Sequence, residues 1–119
     1  MSDQLSQAAQ DVLAERERQI EVEGWTPEHD DKHDLGEIAK AASAYAMNSG
    51  IASEFITRGA YSTQDLNAAM SRCPAPPTWP WARSWWKPQS RRRDLVKAAA
   101  LILAEIERLD RAAVQEPAP

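Results

Sequence analysis

The chain has 119 residues, 18 acidic and 14 basic, with a formal net charge of -4 and a pI near 5.2. That length holds one domain or half of a dimer, and the acidic balance argues against a duplex-binding module, which is usually strongly basic. A single cysteine, Cys73, excludes a disulfide framework or cysteine-rich metal cage, and neither a signal peptide nor a membrane-length apolar run is present, so a soluble, cytoplasmic protein is expected.

The first helix is predicted from Ser6 to Glu23. Leu5, Ala9, Val12, Leu13 and Ile20 recur at three- and four-residue spacing, while Glu15, Arg16, Glu17, Arg18, Glu21 and Glu23 make the other face charged. Gly24 is a natural stop, and Trp25-Thr26-Pro27 breaks the pattern, with Thr26 or Asp30 as caps for a further turn. A second helix fits Leu35 to Asn48, ended by Ser49-Gly50, its stripe of Leu35, Ile38, Ala39, Ala42, Tyr45 and Ala46 rich in small residues. Short helices are assigned to 51–57 and, after Ser62, to Asp65–Met70.

From Cys73 to Pro88 repeated prolines exclude helix and central strand, so this stretch reads as an ordered extended loop anchored by tryptophan. Five of the eight aromatic residues are Trp, and four of those lie between Trp79 and Trp86. The last helix runs from Arg91 to Ala113, with Leu95, Ala98, Ala99, Ile102, Ile106 and Leu109 on one face, widened by Leu101 and Leu103. Such breadth fits a central helix buried on several sides, or one that also forms a dimer interface. Residues 1–114 make a single all-α domain, a compact four-helix bundle carrying the Pro/Trp loop at 73–90, and residues 115–119 are a flexible tail.

Three constellations carry candidate chemistry. Residues 28–37 contain five carboxylates and two imidazoles. Asp34 and Glu37, three apart, share a face of the first turn of helix two and suit a hard cation such as Mg²⁺ or Mn²⁺. Acids at a helix N-terminus also complement its dipole, but capping needs one or two, not five. His29 and His33 are four apart, a spacing that can bind zinc from a helix, but Pro27 and the Asp-rich loop argue against a helix there, which favours solvent-exposed or capping histidines.

The second constellation is Arg91-Arg92-Arg93. Three cations at a helix N-terminus oppose the macrodipole, whereas an anion would be held there by both arginines and free N–H groups. Acids of the first helix are the alternative partners. Residues 83–97 carry six basic groups and one acid; residues 15–37 carry nine acids and three basic groups. Lys87 and Lys97 extend the phosphate-binding set. Third, Trp81, Trp85 and Trp86 beside these cations form a stacking surface for a nucleobase, with loop anchoring as the competing role. Asp94, one turn into the last helix, would meet Asp34 and Glu37 to complete a cation site.

Glu23-Gly24-Trp25-Thr26, His29-Asp30-Asp31, Gly36-Glu37, Trp79-Pro80-Trp81, Trp85-Trp86-Lys87-Pro88 and the arginine-rich start of the last helix together resemble short phage and prophage proteins. This resemblance implies a chain encoded by a phage or prophage and working in a bacterial host. Asp34-Leu35-Gly36-Glu37 with Asp94-Leu95-Val96-Lys97 resembles the paired acidic helices of MazG-like all-α nucleoside triphosphate pyrophosphohydrolases. That likeness implies Mg²⁺ held by Asp34, Glu37 and Asp94, with Lys97 standing where a fourth acid belongs and a longer separation between the pairs. It also implies a homodimer or higher homo-oligomer.

The expected activity is Mg²⁺-dependent hydrolysis of a nucleoside triphosphate or related phosphoanhydride, with Glu37 or His33 activating water. Arg91, Arg92 and Arg93 would hold the phosphates and a tryptophan the base. Two other expectations differ in class. One is a non-catalytic protein that sequesters a nucleotide defence signal, favoured by Lys97; the other is a helical module binding a protein through its tryptophan loop. No duplex nucleic acid and no membrane is expected as a partner.

Overall fold

The computed structural model describes residues 4–51, 59 and 62–115; the expected short helix over 51–57 and the tail fall largely outside them. The described residues are helical, without a strand: α1 (Gln7–Glu21), α2 (Pro27–Asp31), α3 (Glu37–Gly50), α4 (Thr63–Met70) and α5 (Arg91–Gln115), with a 3-10 turn at Arg83–Trp85. The all-α expectation is met, and α2 is a helix the sequence reading doubted. Pro27 initiates it, because a first-turn residue needs no N–H, while the Thr26 hydroxyl accepts from His29 N at 3.2 Å.

The other starts follow the same logic. Ser6, Ser62 and Ser90 accept from the backbone N–H three residues on and cap α1, α4 and α5. Gly36 enters α3 with φ at 85°, a left-handed conformation that a side chain would strain. Beside it the Glu37 carboxylate accepts from Leu35 N at 2.6 Å.

The long helix α5 is the hub and touches α1, α2, α3 and α4. Its tightest neighbour is α3. Ala41, Ala42 and Ala44 meet Ala98, Leu101 and Ala104, and side chains this small let the two backbones approach closely. Asn48 Nδ2 donates to Asp94 Oδ2 at 3.1 Å and Ser49 Oγ to Arg91 O at 3.0 Å, so the end of α3 lies beside the start of α5.

The proline-rich loop before α5 is clamped from α3. Tyr45 stacks on Trp86 at 4.7 Å between ring centres and meets Trp79 edge-on at 5.5 Å. Trp86 donates its indole N–H to Cys73 O, Trp79 to Ala82 O, and Lys87 N donates to the Tyr45 hydroxyl.

Two helical faces depart from expectation. In α1 the buried residues are Glu15, Arg16 and Gln19, whereas Leu5 and Leu13 are exposed. Charge complementarity with α5 outweighs apolar periodicity there: Arg16 bonds Asp30 and Glu107, Arg93 bonds Glu15, and Arg92 bonds Asp11. In α5 the buried set is Asp94, Val96, Lys97, Ala98, Ala100, Leu101, Ala104 and Arg108. Leu95, Ile102, Ile106 and Leu109, expected to face the core, are about half exposed.

Candidate functional site

The end of α1, α2 and the Trp loop enclose a recess of about 460 Å³ lined by Glu23, Trp25, His29, His33, Trp81 and Trp85. Four of the lining rings pack on one another as one continuous aromatic wall. Trp25 to His29 is 6.3 Å between centres, His29 to His33 4.8 Å, His33 to Trp81 5.5 Å and Trp81 to Trp25 5.9 Å. The i,i+4 spacing of the histidines, carried across the α2 turn, stacks the two rings edge to face. Trp85 stands at the rim, 49 % exposed, with the Lys87 ammonium 5.8 Å from its ring centre.

Each histidine is oriented by a carboxylate. His29 Nδ1 lies 3.1 Å from Asp30 Oδ1 and His33 Nδ1 3.2 Å from Glu37 Oε2, which leaves Nε2 as the remaining polar atom of each ring. Asp30 is itself buried and bound to Arg16 Nη2 at 2.8 Å, so the first dyad is anchored in the α1–α5 network. The Glu37 carboxyl titrates below its ordinary range because its own backbone N–H, His33 and the Leu35 N–H all bond the ionised form, outweighing desolvation.

Two further hollows with charged linings adjoin this recess, the nearer of only about 30 Å³. Glu23, Trp25 and Trp85 also border a narrow cleft that reaches Arg18, Lys87 and Lys97. Glu15 and Arg18 in turn border a basin of about 340 Å³ with Arg92 and Arg93. Arg18 forks onto Glu15 at 2.8 and 2.9 Å and reaches Glu23 at 2.9 Å. Glu15 is only 2 % exposed; burial raises its pKa, but bonds from Arg18 and Arg93 more than reverse this and hold it below the ordinary carboxylate value. Lys97 is buried, which lowers its pKa against the pull of Asp94, and its ammonium donates to Lys87 O at 2.7 Å under the Tyr45 ring. Burial pushes the Tyr45 phenol up to about 12.

The expected cation site is not assembled. Asp94 is 0 % exposed, bonded by Asn48 and by Gln89 N at 2.9 Å, and burial raises its pKa. Its partner Asn48 lies eleven residues along α3 from Glu37, a separation of about 16 Å at helical rise. Asp34 is exposed before α3 begins. Among the described residues no three His, Cys, Asp or Glu side chains converge as a metal site. The acidic triad suggested by spacing therefore does not fit Mg²⁺, because Asp94 serves the start of α5 instead.

The other site residues divide. Trp81 and Trp85 line the recess, whereas Trp86 is core. His33 and Glu37, expected as catalytic, are in contact, and His33 lines the recess. Arg92 and Arg93 are ion-paired to α1, the alternative partner weighed from sequence, and the N–H groups of Arg91 and Arg93 are taken by Asn67 and Ser90. Arg91 is exposed, Lys87 caps the rim and Lys97 is internal. Sequence reasoning passed over Glu23, Trp25 and Arg18 and set His29 aside as solvent-exposed or capping. The four-residue spacing of the histidines, beginning four residues after Trp25, was the available signal.

No protein-family model matches this chain, and neither a curated protein nor a solved structure is detectably similar to it. No described helix is long and apolar enough to cross a membrane.

Proposed function

We propose that this protein binds a nucleotide or nucleotide-derived molecule and holds it intact, its base in the aromatic recess and its phosphate end toward the charged hollows. The carrying observation is adjacency: Glu23, Trp25 and Trp85 of the ring-lined recess also border a water-sized cleft of about 30 Å³ beside Arg18, Lys87 and Lys97. Planar indoles offer stacking worth about 1–3 kcal/mol per base, and the cations supply charge-assisted bonds to phosphate oxygens. Five basic residues (Arg18, Lys87, Arg92, Arg93, Lys97) and three acids (Asp11, Glu15, Glu23) line the charged hollows, an excess of two positive charges. That balance favours a ligand with one or two net negative charges over a free triphosphate. Two buried polar atoms without a partner among the described residues, Gln19 Oε1 and Trp81 Nε1, belong to residues lining these same cavities.

Hydrolysis of a phosphoanhydride is the second reading, favoured by the His33–Glu37 pair at the recess wall, arranged as a general base and its orienting carboxylate. Thermal-shift screening of linear and cyclic nucleotides, with and without Mg²⁺, tests binding. A true ligand at a hundredfold its dissociation constant should add about 2.7 kcal/mol of stability. Trp25→Ala and Trp85→Ala should each abolish the shift. Mass spectrometry of the heat-released ligand separates the readings: intact ligand supports sequestration, a cleaved product supports hydrolysis, and no shift with any nucleotide sinks both.

A further inference from the structure

Leu95, Ile102, Ile106 and Leu109 stand about half exposed on α5. With Ala99 they repeat at four-three-four-three spacing, the seam of a coiled coil. Beside them Ala39, Ala42 and Ala46 of α3 border, with Ile102 and Ile106, a shallow apolar hollow of about 210 Å³. None of these residues lines the aromatic recess or the charged hollows.

We propose that this face receives a second copy of the chain, the two α5 helices crossing antiparallel about a twofold axis at Ile102. A twofold interface must be complementary to itself, and here large aliphatic side chains stand next to a hollow bordered by three alanines with Ser43 and Glu105. An axis at Ile102 sets Leu95, seven residues before it, against Leu109 of the partner subunit, seven after. Ile106 of the partner subunit then falls near Ala99, large against small.

Charge fixes the direction. The first turn of α5 is basic, and Arg91, on the Leu95 side, is exposed with no ion pair among the described residues. Toward the other end Asp110, one turn beyond Ile106, is exposed and likewise without an ion pair there. Antiparallel pairing brings Arg91 within about three residues, roughly 4.5 Å along the axis, of Asp110 of the partner subunit. Parallel pairing would set the arginine clusters of the two copies against each other, a repulsive arrangement.

Sedimentation velocity on the full chain should give about twice 13.3 kDa. Ile102→Glu with Ile106→Glu should raise the dimer dissociation constant about tenfold or more while helical circular dichroism is retained, because both side chains are half exposed in the single chain. A register test stands apart from that variant. In a Cys73→Ser background, Leu95→Cys protein mixed with Leu109→Cys protein should oxidise mainly to the mixed disulfide. A monomeric wild type, a dimer untouched by the double glutamate, or a dominant Leu95→Cys self-crosslink would each overturn the proposal. Should the glutamate variant lose its helix signal, the crosslink pattern decides.

Discussion

Against α3 the long helix α5 packs alanine on alanine; against α1 it packs charge on charge. The first contact buries Ala41, Ala42 and Ala44 against Ala98, Leu101 and Ala104, and its stability comes from removing apolar surface from water. The second is made by Asp11–Arg92, Glu15–Arg93 and Arg16–Glu107, with Arg16 also bound to Asp30. Apolar contact there is left to the margins, and Leu13 faces out. One helix thus has a mainly apolar neighbour that salt hardly touches and another held by ion pairs that salt and pH both reach. The candidate site lies on the ionic side: Arg18 and Glu15 line the charged hollows, and Asp30, held by Arg16, orients His29.

The contrast is breakable from either side. Arg16→Ala should cost about 3–5 kcal/mol, because it strands the buried Asp30 carboxylate, and chemical denaturation should show the loss. Leu101→Ala opens the apolar contact and should cost about 2–5 kcal/mol. The discriminating readout is salt: raising ionic strength should lower wild-type stability through the α1 pairs while leaving the Leu101→Ala penalty unchanged. A salt-dependent Leu101 penalty would mean the two interfaces are not separable.

pH sharpens the same comparison. The folded Glu15 carboxyl titrates below its ordinary 4.5, so the unfolded chain binds the extra proton first as pH falls. Its contribution is complete above 4.5 and is lost as pH drops through the folded value. Asp94, raised by burial, works in the opposite sense, and its cost appears as pH rises through its own folded value. Midpoints of heat denaturation measured from neutral pH down through this window should fall in the wild type and fall less in Glu15→Gln. Equal slopes would remove Glu15 from the account. The smallest effect belongs to Arg92→Ala, whose pair with Asp11 is well exposed; its loss should be barely detectable by chemical denaturation and vanish at high salt.

Helix positions were legible because caps and stops are local: Thr26, Ser62 and Gly24 each announce a boundary from a few residues of context, whereas Ser6 was placed inside the first helix and Ser90 was not singled out. Which face each helix buries was not. Apolar periodicity assigned Leu13 and Ile102 inward, but the partner's charge decides α1, and α5 turns Leu101 inward and Ile102 out. The site was half legible. Surplus tryptophan marked Trp81 and Trp85, and the acid-rich run contained both histidines. Its carboxylates, however, divide among separate tasks: Asp30 orients His29, Glu37 orients His33, Asp31 pairs with Arg111. Asp94 misled for a physical reason. A carboxylate one turn inside a helix looks like a ligand in sequence, whereas here it accepts the N–H of Gln89, just before the helix begins.

Trp86 donating to Cys73 O and Lys87 N donating to Tyr45 together close the segment 74–85 at its base, on the bundle itself. Trp79 fastens that segment a second time from within the core. Beyond those ties, Arg83 and Ser84 are exposed between the two tryptophans of the recess wall. Chain inserted between fixed ends is thermodynamically inexpensive, each doubling of loop length costing only about 0.6 kcal/mol. The recess can therefore be deepened, narrowed or given new polar groups from this short crest while the helices beneath stay as they are. In a bundle of this design the wall of the recess can change while the packing of the helices does not.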